Sequence, residues 1–308
     1  MVRCAYKGFN GDPRGGCNGH IGSSILHLPT KKEEERTGTL KVENISFYYG
    51  ARRILENIRF SAEKGDFIGI IGPNGSGKTT LLRIINNLLK PAEGAVLLDG
   101  REVSKMREKE IAKRISSVPQ NPTVNFDFSV WDIVMMGRYP HLGRLSIEDE
   151  RDEEIVSRCM KLTNIQHLAN RSVTEVSGGE LQRILIARAL AQEARILLLD
   201  EPTSNLDINY QIEIMDLLRD LTLKKGITVI CTMHDLNLAA RYCEMLILLS
   251  NGRIRAIGRP EEVITRDNIK ETFGIDVLVE KNPITNSIYV IPLGSVSAIK
   301  RREVISKS

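Results

Sequence analysis

Apolar and polar positions change period along this chain, and the changes mark its elements. From Thr39, the residues Leu40, Val42, Ile45 and Phe47 give near-alternating apolar positions, as in a half-buried strand. A second strand is predicted over about Ile54 to Phe60. The run Phe67–Ile68–Gly69–Ile70–Ile71 is short, apolar and β-branched, as a strand covered on both faces would be. A glycine-rich turn follows, then a predicted helix from about Lys78 to Leu89, which Lys90–Pro91–Ala92–Glu93–Gly94 ends with a turn. Ala95 to Leu98 reads as a strand, and so does Ile115 to Val118. From about 121 to 190 the pattern is mostly helical. Ser129 to Arg138 is one helix and Glu148 to Leu162 another, with Ile155, Cys159 and Leu162 expected on one face. Alternation then resumes: strand Ile196 to Leu199, helix Ile208 to Leu223, strand Ile227 to Cys231, strand Met245 to Leu249. Two short strand-like runs, Val277–Val279 and Ile288–Ile291, close the pattern. This order predicts an α/β fold with a mostly parallel core sheet, an N-terminal antiparallel β region and an inserted helical subdomain at about 121–190.

Residues 1–38 differ from the rest. Gly8, Asn10, Gly11, Asp12, Pro13, Gly15 and Gly16 are turn and breaker residues, and the charged run Lys31 to Arg36 follows. The segment reads as a disordered extension. Cys4, Cys17 and His20 lie in it, but four ligands at finger-like spacing are absent. Residues 276–308 read as a short C-terminal extension.

Composition changes the picture little. The chain has 308 residues, 42% of them hydrophobic, with 43 basic against 39 acidic side chains. So small an excess gives no reason to expect nucleic acid as a partner. No apolar run approaches the ~20 residues that span a bilayer, and the N-terminus lacks the apolar core of a signal peptide. Five scattered cysteines fit a reducing compartment. The expectation is a cytosolic chain whose membrane association comes through a partner.

The chemistry begins at Gly72–Pro73–Asn74–Gly75–Ser76–Gly77–Lys78–Thr79, which matches G-x-x-x-x-G-K-[ST] between a buried strand and a helix. The glycines let the backbone curl so that its N–H groups face phosphate oxygens. The helix beginning at Lys78 adds its positive dipole end. Lys78 carries a charge to the β- and γ-phosphates, and the Thr79 hydroxyl is suited to ligate Mg²⁺. Thr80 is counted with this nucleotide-binding loop. The chain is thus expected to be a P-loop NTPase that binds a nucleotide with Mg²⁺, a description many nucleotide-binding proteins share. Ile196 to Leu199 carries Asp200 and Glu201 to a strand end. Asp200 is suited to hold Mg²⁺, and Glu201 to polarise the attacking water.

Val176–Ser177–Gly178–Gly179–Glu180–Leu181–Gln182–Arg183 narrows the field. It resembles the signature motif of the ABC ATPases, LSGGQ or LSGGE, with Val176 in place of leucine. Ser177, Gly178, Gly179 and Glu180 then belong to the nucleotide site as a backbone nest at a helix start. The resemblance covers about residues 39–275 and implies further roles. Gln120 resembles the Q-loop glutamine, which senses Mg²⁺ and the γ-phosphate. Ser204–Asn205–Leu206–Asp207 resembles the D-loop, and His234 the switch histidine. Tyr49, with Tyr48 as competitor, resembles the aromatic that stacks on adenine. The family pairs two such domains head to tail, so the resemblance implies a homodimer with ATP between one loop and the other signature. It also implies a polytopic permease dimer as the membrane partner, with this chain peripheral on the cytoplasmic face.

The segment Val130 to His141 fits V-x-x-x-V-x-x-G-R-x-P-H through Val130, Val134, Gly137, Arg138, Pro140 and His141. It resembles the ATPase subunits of importers for iron–siderophores, haem and cobalamin, as does Phe273–Gly274–Ile275. Those importers use an extracytoplasmic binding protein, which this subunit meets only indirectly. Alternatives are a soluble ABC ATPase of DNA repair or translation, or an importer subunit for another cargo. The first usually carries two ATPase halves, long heptad insertions or zinc modules, none of which is visible here.

Overall fold

The computed structural model describes residues 40–120, 127–143 and 148–295. The expected extension 1–38, with Cys4, Cys17 and His20, lies outside the described residues. So do residues 296–308.

The chain opens with a hairpin of β1 (Leu40–Tyr49) and β2 (Arg52–Ala62). Leu40, Val42, Ile45 and Phe47 are buried, and the break in their alternation has a local cause. Asn44 takes φ 51° and the register shifts between Val42 and Ile45, so a bulge returns Ile45 to the core face. The wholly buried β3 (Phe67–Ile71) leads to α1 (Lys78–Ile85). This helix stops at Ile85 rather than at the expected Leu89. The Asn86 N–H closes on Leu82 and Asn87 turns left-handed at φ 58°. Leu88 is left 68% exposed. Next come β4 (Glu93–Leu98), β5 (Arg101–Glu102), α2 (Glu108–Ala112) and β6 (Ile115–Val118).

The helical insertion holds α3 (Val130–Met135), continued by a 3₁₀ turn Met136–Arg138, then α4 (Glu150–Leu162) and α5 (Gly178–Ala191). Each begins with a capping box, at Ser129/Asp132, Asp149/Asp152 and Ser177/Glu180. Asp149 as cap is why α4 starts at Glu150 and not at Glu148. The three helices bury Val130, Ile133, Val134, Ile155, Val156, Cys159, Met160, Ile184 and Ala187 in one cluster. Leu162 does not share the face of Ile155 and Cys159: it is exposed. Val156 and Met160 pull the buried stripe to one side, and Leu162 falls at its margin in the last turn.

The remainder runs β7 (Ile196–Asp200), α6 (Ile208–Lys225), β8 (Thr228–Met233), α7 (Leu236–Tyr242), β9 (Met245–Ser250), β10 (Arg253–Gly258), α8 (Pro260–Val263), α9 (Arg266–Phe273), β11 (Ile275–Lys281) and β12 (Ile288–Ser295). Ile227 is not part of β8, because its N–H closes on Leu221 at the exit of α6. The core sheet has the order β10-β9-β3-β8-β7-β6, parallel except where β10 runs against β9. A second sheet, β2-β1-β4-β5, is antiparallel. Alternate residues of the core strands feed two layers. Phe67, Ile71, Leu197, Leu199, Val229 and Cys231 pack with α5, α6 and α7. Ile68, Ile70, Leu198, Ile230 and Ile247 pack with α1 and the antiparallel sheet. The antiparallel pair β11–β12 crosses the expected boundary at 276 and puts Val277 and Val290 into the first of these layers.

Candidate functional site

Neighbouring strands of the core sheet release their chains at the same edge, the carboxyl ends of β3, β8, β7 and β6. In open α/β sheets that edge is where ligands bind. The loop after β3 curls as its glycines allow. Gly72 has φ 152°, and a Cβ there would stand 2.1 Å from the Leu249 carbonyl oxygen. Gly77, at φ 105°, caps α1 against Leu55, whose Cδ2 would be 2.6 Å from a Cβ. The Leu249 carbonyl excludes a side chain at Gly72, and the positive φ would strain one at Gly77. Asn74 and Gly75 are exposed at the tip, and Pro73, Thr79 and Thr80 are half-buried. The Lys78 ammonium is buried and donates to the Gly72 carbonyl at 2.9 Å and the Pro73 carbonyl at 3.2 Å. Burial lowers its pKa, against the opposing pull of the Glu201 and Asp200 charges. Ser76 Oγ is buried with no hydrogen-bond partner. A buried hydroxyl with nothing to bond is costly unless a ligand completes it, and phosphate oxygens are the ligand this loop suits.

The acids stand beside the loop. Asp200 Oδ1 accepts from Thr79 Oγ1 at 3.1 Å, so the two residues expected at Mg²⁺ meet across the site. The donor set, a hydroxyl and a carboxylate oxygen, is the hard oxygen chemistry that Mg²⁺ takes. Glu201 is held from both sides. Gln120 Nε2 donates to its Oε2, and His234 Nε2 pairs with its Oε1. Glu201 itself is left-handed at φ 52°, an uncommon state for a residue with a side chain. Gln120, Asp200, Glu201 and His234 therefore converge with Thr79.

Thr232 is the residue that sequence reasoning missed. Its hydroxyl donates to Asp200 Oδ1 at 2.7 Å and accepts from the Glu201 N–H at 2.8 Å. The available signal was a polar residue following the apolar run Val229–Ile230–Cys231 near the strand end.

The signature residues form a separate patch. Ser177 caps α5: its hydroxyl accepts the Glu180 N–H at 3.4 Å, and Glu180 returns the bond to the Ser177 N–H at 2.7 Å. That backbone bond lowers the Glu180 pKa. Ser177 and Gly178 are exposed, and a Cβ placed on Gly178 would meet Leu206 no nearer than 3.9 Å. Gly179 packs flat on Tyr210, whose ring a Cβ would meet at 2.8 Å. Leu206 and Tyr210 set the D-loop against the start of α5. Ser204 Oγ turns back to the Glu201 carbonyl at 2.9 Å, so the same loop touches the acids. Tyr48 and Tyr49 are 43% and 47% exposed, and Tyr49 packs edge-on to Phe47 with ring centroids 4.9 Å apart.

The Gly137–Arg138–Pro140–His141 group lies elsewhere and has a packing role. Arg138, 3% exposed, donates to Asp152 at 2.8 Å, to the Ala191 carbonyl at 2.6 Å and to Glu193 at 3.0 Å. His141 Nε2 meets the Gln192 carbonyl at 2.9 Å, and the Gln192 amide in turn reaches Ala112 and Ile115 beside β6. Gly137 lies so close to α5 that a Cβ would be 2.2 Å from the Arg188 carbonyl. The motif clamps the helical insertion to the core.

Known proteins resemble this chain in sequence and fold. The ABC transporter family profile matches residues 55–204. The chain is 42% identical over 255 residues to the cobalamin import ATP-binding protein of Halobacterium salinarum, covering 83% of this chain and 64% of that protein. It is 42% identical over 260 residues to the ferric enterobactin transport ATP-binding protein of Escherichia coli, covering 84% and 96%. Among solved structures, a chain of a metal-chelate type ABC transporter in an inward-facing conformation superposes with a TM-score of 0.74 at 32% identity, over 83% of this chain and 98% of that one.

Proposed function

The chain belongs to the ABC transporter family, and from that premise we propose that it is the ATP-hydrolysing subunit of an importer for a metal chelate: an iron–siderophore, haem or cobalamin. The observation that carries the reading is Glu201, placed between Gln120 and His234 and next to the Thr79–Asp200 pair. A carboxylate so placed acts as the base that polarises water for attack on a γ-phosphate. Lys78 and the curled loop hold the β- and γ-phosphates, Ser76 gains its missing partner, and Tyr49 stacks on adenine. Thr79, Gln120 and Asp200 would hold Mg²⁺, which supplies positive charge against the phosphates. Gln120 and His234 exchange their bonds to Glu201 for contacts made when nucleotide arrives.

One chain carries one phosphate loop and one signature, and the signature's exposed face at Ser177 and Gly178 is open to a second molecule. Two copies, paired head to tail, complete two sites. ATP closes the pair and hydrolysis opens it, a shift driven by contacts that only the closed state makes. No helix among the described residues is long and apolar enough to cross a membrane. On this reading a polytopic permease dimer provides the passage. A cleft of about 270 Å³ lined by Thr79, Arg83, Leu88 and Gln120 adjoins one of about 490 Å³ lined by Leu88, Met136 and Gln192. Exposed Leu88 lines both, between the Mg²⁺ ligands and the helical insertion, and exposed Met136 lines the second. That groove suits the permease, since pressure there reaches Gln120. The chain is then peripheral on the cytoplasmic face, and its cargo touches the permease and an extracytoplasmic binding protein instead.

Capture of the tagged chain from its native membranes in mild detergent tests this reading. Co-purification of a permease in a two-plus-two complex, whose ATPase rises when a chelate-loaded binding protein is added, is the expected result. Recovery with ribosomes or repair proteins and without a permease would overturn it.

A further inference from the structure

Thr232 lies near the end of β8, with no exposed surface and two hydrogen bonds, one to the Asp200 carboxylate and one from the Glu201 backbone N–H. We propose that it is a positioning residue for ATP hydrolysis, fixing the two acids Asp200 and Glu201 relative to each other. The proposal rests on the reading of those acids given above.

A threonine hydroxyl has one proton and two lone pairs. The Glu201 N–H can only donate, so the oxygen accepts there at 2.8 Å. Its single proton is thereby committed to Asp200 Oδ1 at 2.7 Å. The Asp200 carboxylate and the Glu201 backbone N–H are thus tied to one atom of the neighbouring strand. The ladder brings that atom there, since Asp200 and Thr232 are register partners in β7 and β8. The tie falls where the chain leaves the strand and Glu201 turns left-handed at φ 52°. That conformation is unfavourable for a residue with a Cβ and persists only where its surroundings impose it. Asp200 Oδ1 has a second donor in Thr79, at the longer distance of 3.1 Å, whereas the Glu201 N–H bonds to Thr232. Loss of the hydroxyl should therefore fall more heavily on the water-polarising carboxylate than on the nucleotide cradle. The β-branched frame of threonine suits the strand, and valine reproduces it without the hydroxyl.

The test compares full-length wild type with Thr232→Val, Thr232→Ser and Glu201→Gln. It measures kcat and KM for ATP, equilibrium binding of a fluorescent ATP analogue, and dimer formation with ATP by size exclusion. Displacement of a reacting group by about an ångström costs on the order of 100-fold, so Thr232→Val is expected to lose roughly 10- to 100-fold in kcat. KM and analogue binding should be unchanged, and the ATP-bound dimer should accumulate. Thr232→Ser, which keeps the hydroxyl, should restore most of kcat. Wild-type kcat in Thr232→Val would overturn the proposal. So would equal losses in the valine and serine variants, or a loss confined to KM and analogue binding. Should the valine variant fail to fold, Thr232→Cys takes its place, with a weak S–H donor that must show the loss while serine does not. A wild-type rate in Glu201→Gln would instead overturn the underlying assignment of the base, and this proposal with it.

Discussion

Replacing Arg138 by methionine should destabilise the fold far more than removal of a surface charge would. The guanidinium is 3% exposed and joins three pieces: the turn after α3, the first turn of α4 through Asp152, and the end of α5 through the Ala191 carbonyl and Glu193. Asp152 is itself 6% exposed. Arg138→Met leaves this carboxylate buried without its cation. Breaking a buried pair from one side costs about 3–5 kcal/mol. For a domain of this size that is roughly 6–20 °C in melting temperature. Acid should shrink the difference. Burial alone would raise the Asp152 pKa, but hydrogen bonds from Arg138 and the Asp149 N–H outweigh it and hold the carboxyl below its ordinary value. A carboxyl depressed in the folded state stabilises above its unfolded pKa of about 3.9 and loses that contribution as pH falls through the folded value. Thermal melts followed by circular dichroism at neutral pH and at pH values descending from 4 to below the folded Asp152 pKa would show both effects. Combining Arg138→Met with Asp152→Leu should recover much of the loss, because both charges are then gone. A change under about 1 kcal/mol, the range of an exposed pair, would refute the reasoning. So would a double variant no better than the single one.

Three further outcomes are expected. Glu201→Gln should lower ATP hydrolysis by roughly 10²- to 10⁴-fold and leave an ATP-bound dimer on size exclusion; an undiminished phosphate-release rate would reject Glu201 as the base. Gly72→Ala forces a Cβ against the Leu249 carbonyl oxygen, a clash costing about 1–3 kcal/mol or more, and should abolish binding of a fluorescent ATP analogue; wild-type affinity would show that the loop tolerates a side chain. Deleting residues 1–36 should leave the ATPase rate of the purified subunit unchanged, since the proposed site residues lie between Tyr49 and His234; a large loss would make the extension part of the working structure.

What could be read from the sequence followed the physics of each signal. Fully buried parallel strands are continuous apolar runs, so Phe67–Ile71 and Ile196–Leu199 stood out with little error in their bounds. The phosphate loop was legible because its glycines answer to backbone demands that hold in any context. The early end of α1 was harder, because Asn86 and Asn87 stop a helix only weakly and Leu88–Leu89 continues its apolar pattern. Edge strand β10 and the short helices α7, α8 and α9 carry mixed exposure and few residues each, and periodicity gives little over such lengths. Thr232 escaped because its importance comes from a cross-strand register that no local pattern encodes. The Gly137 to His141 group was read for the company it keeps; its packing role needed the Arg138–Asp152 contact to become visible.

The strand order has a mechanical meaning. Gly72, His234, Asp200 with Glu201, and Gln120 end or follow β3, β8, β7 and β6, which are consecutive neighbours in one ladder. Strands in a sheet stand about 4.8 Å apart, so main-chain bonding acts as a ruler that sets the spacing of the reactive groups. Those groups can be re-aimed by a rotamer, but their anchors cannot slide past one another without tearing the ladder. Timing must therefore be imposed from outside the sheet, by parts that swing as wholes. The sheet reads as a rigid anvil, and on the proposed function a second copy and a membrane partner decide when the blow falls.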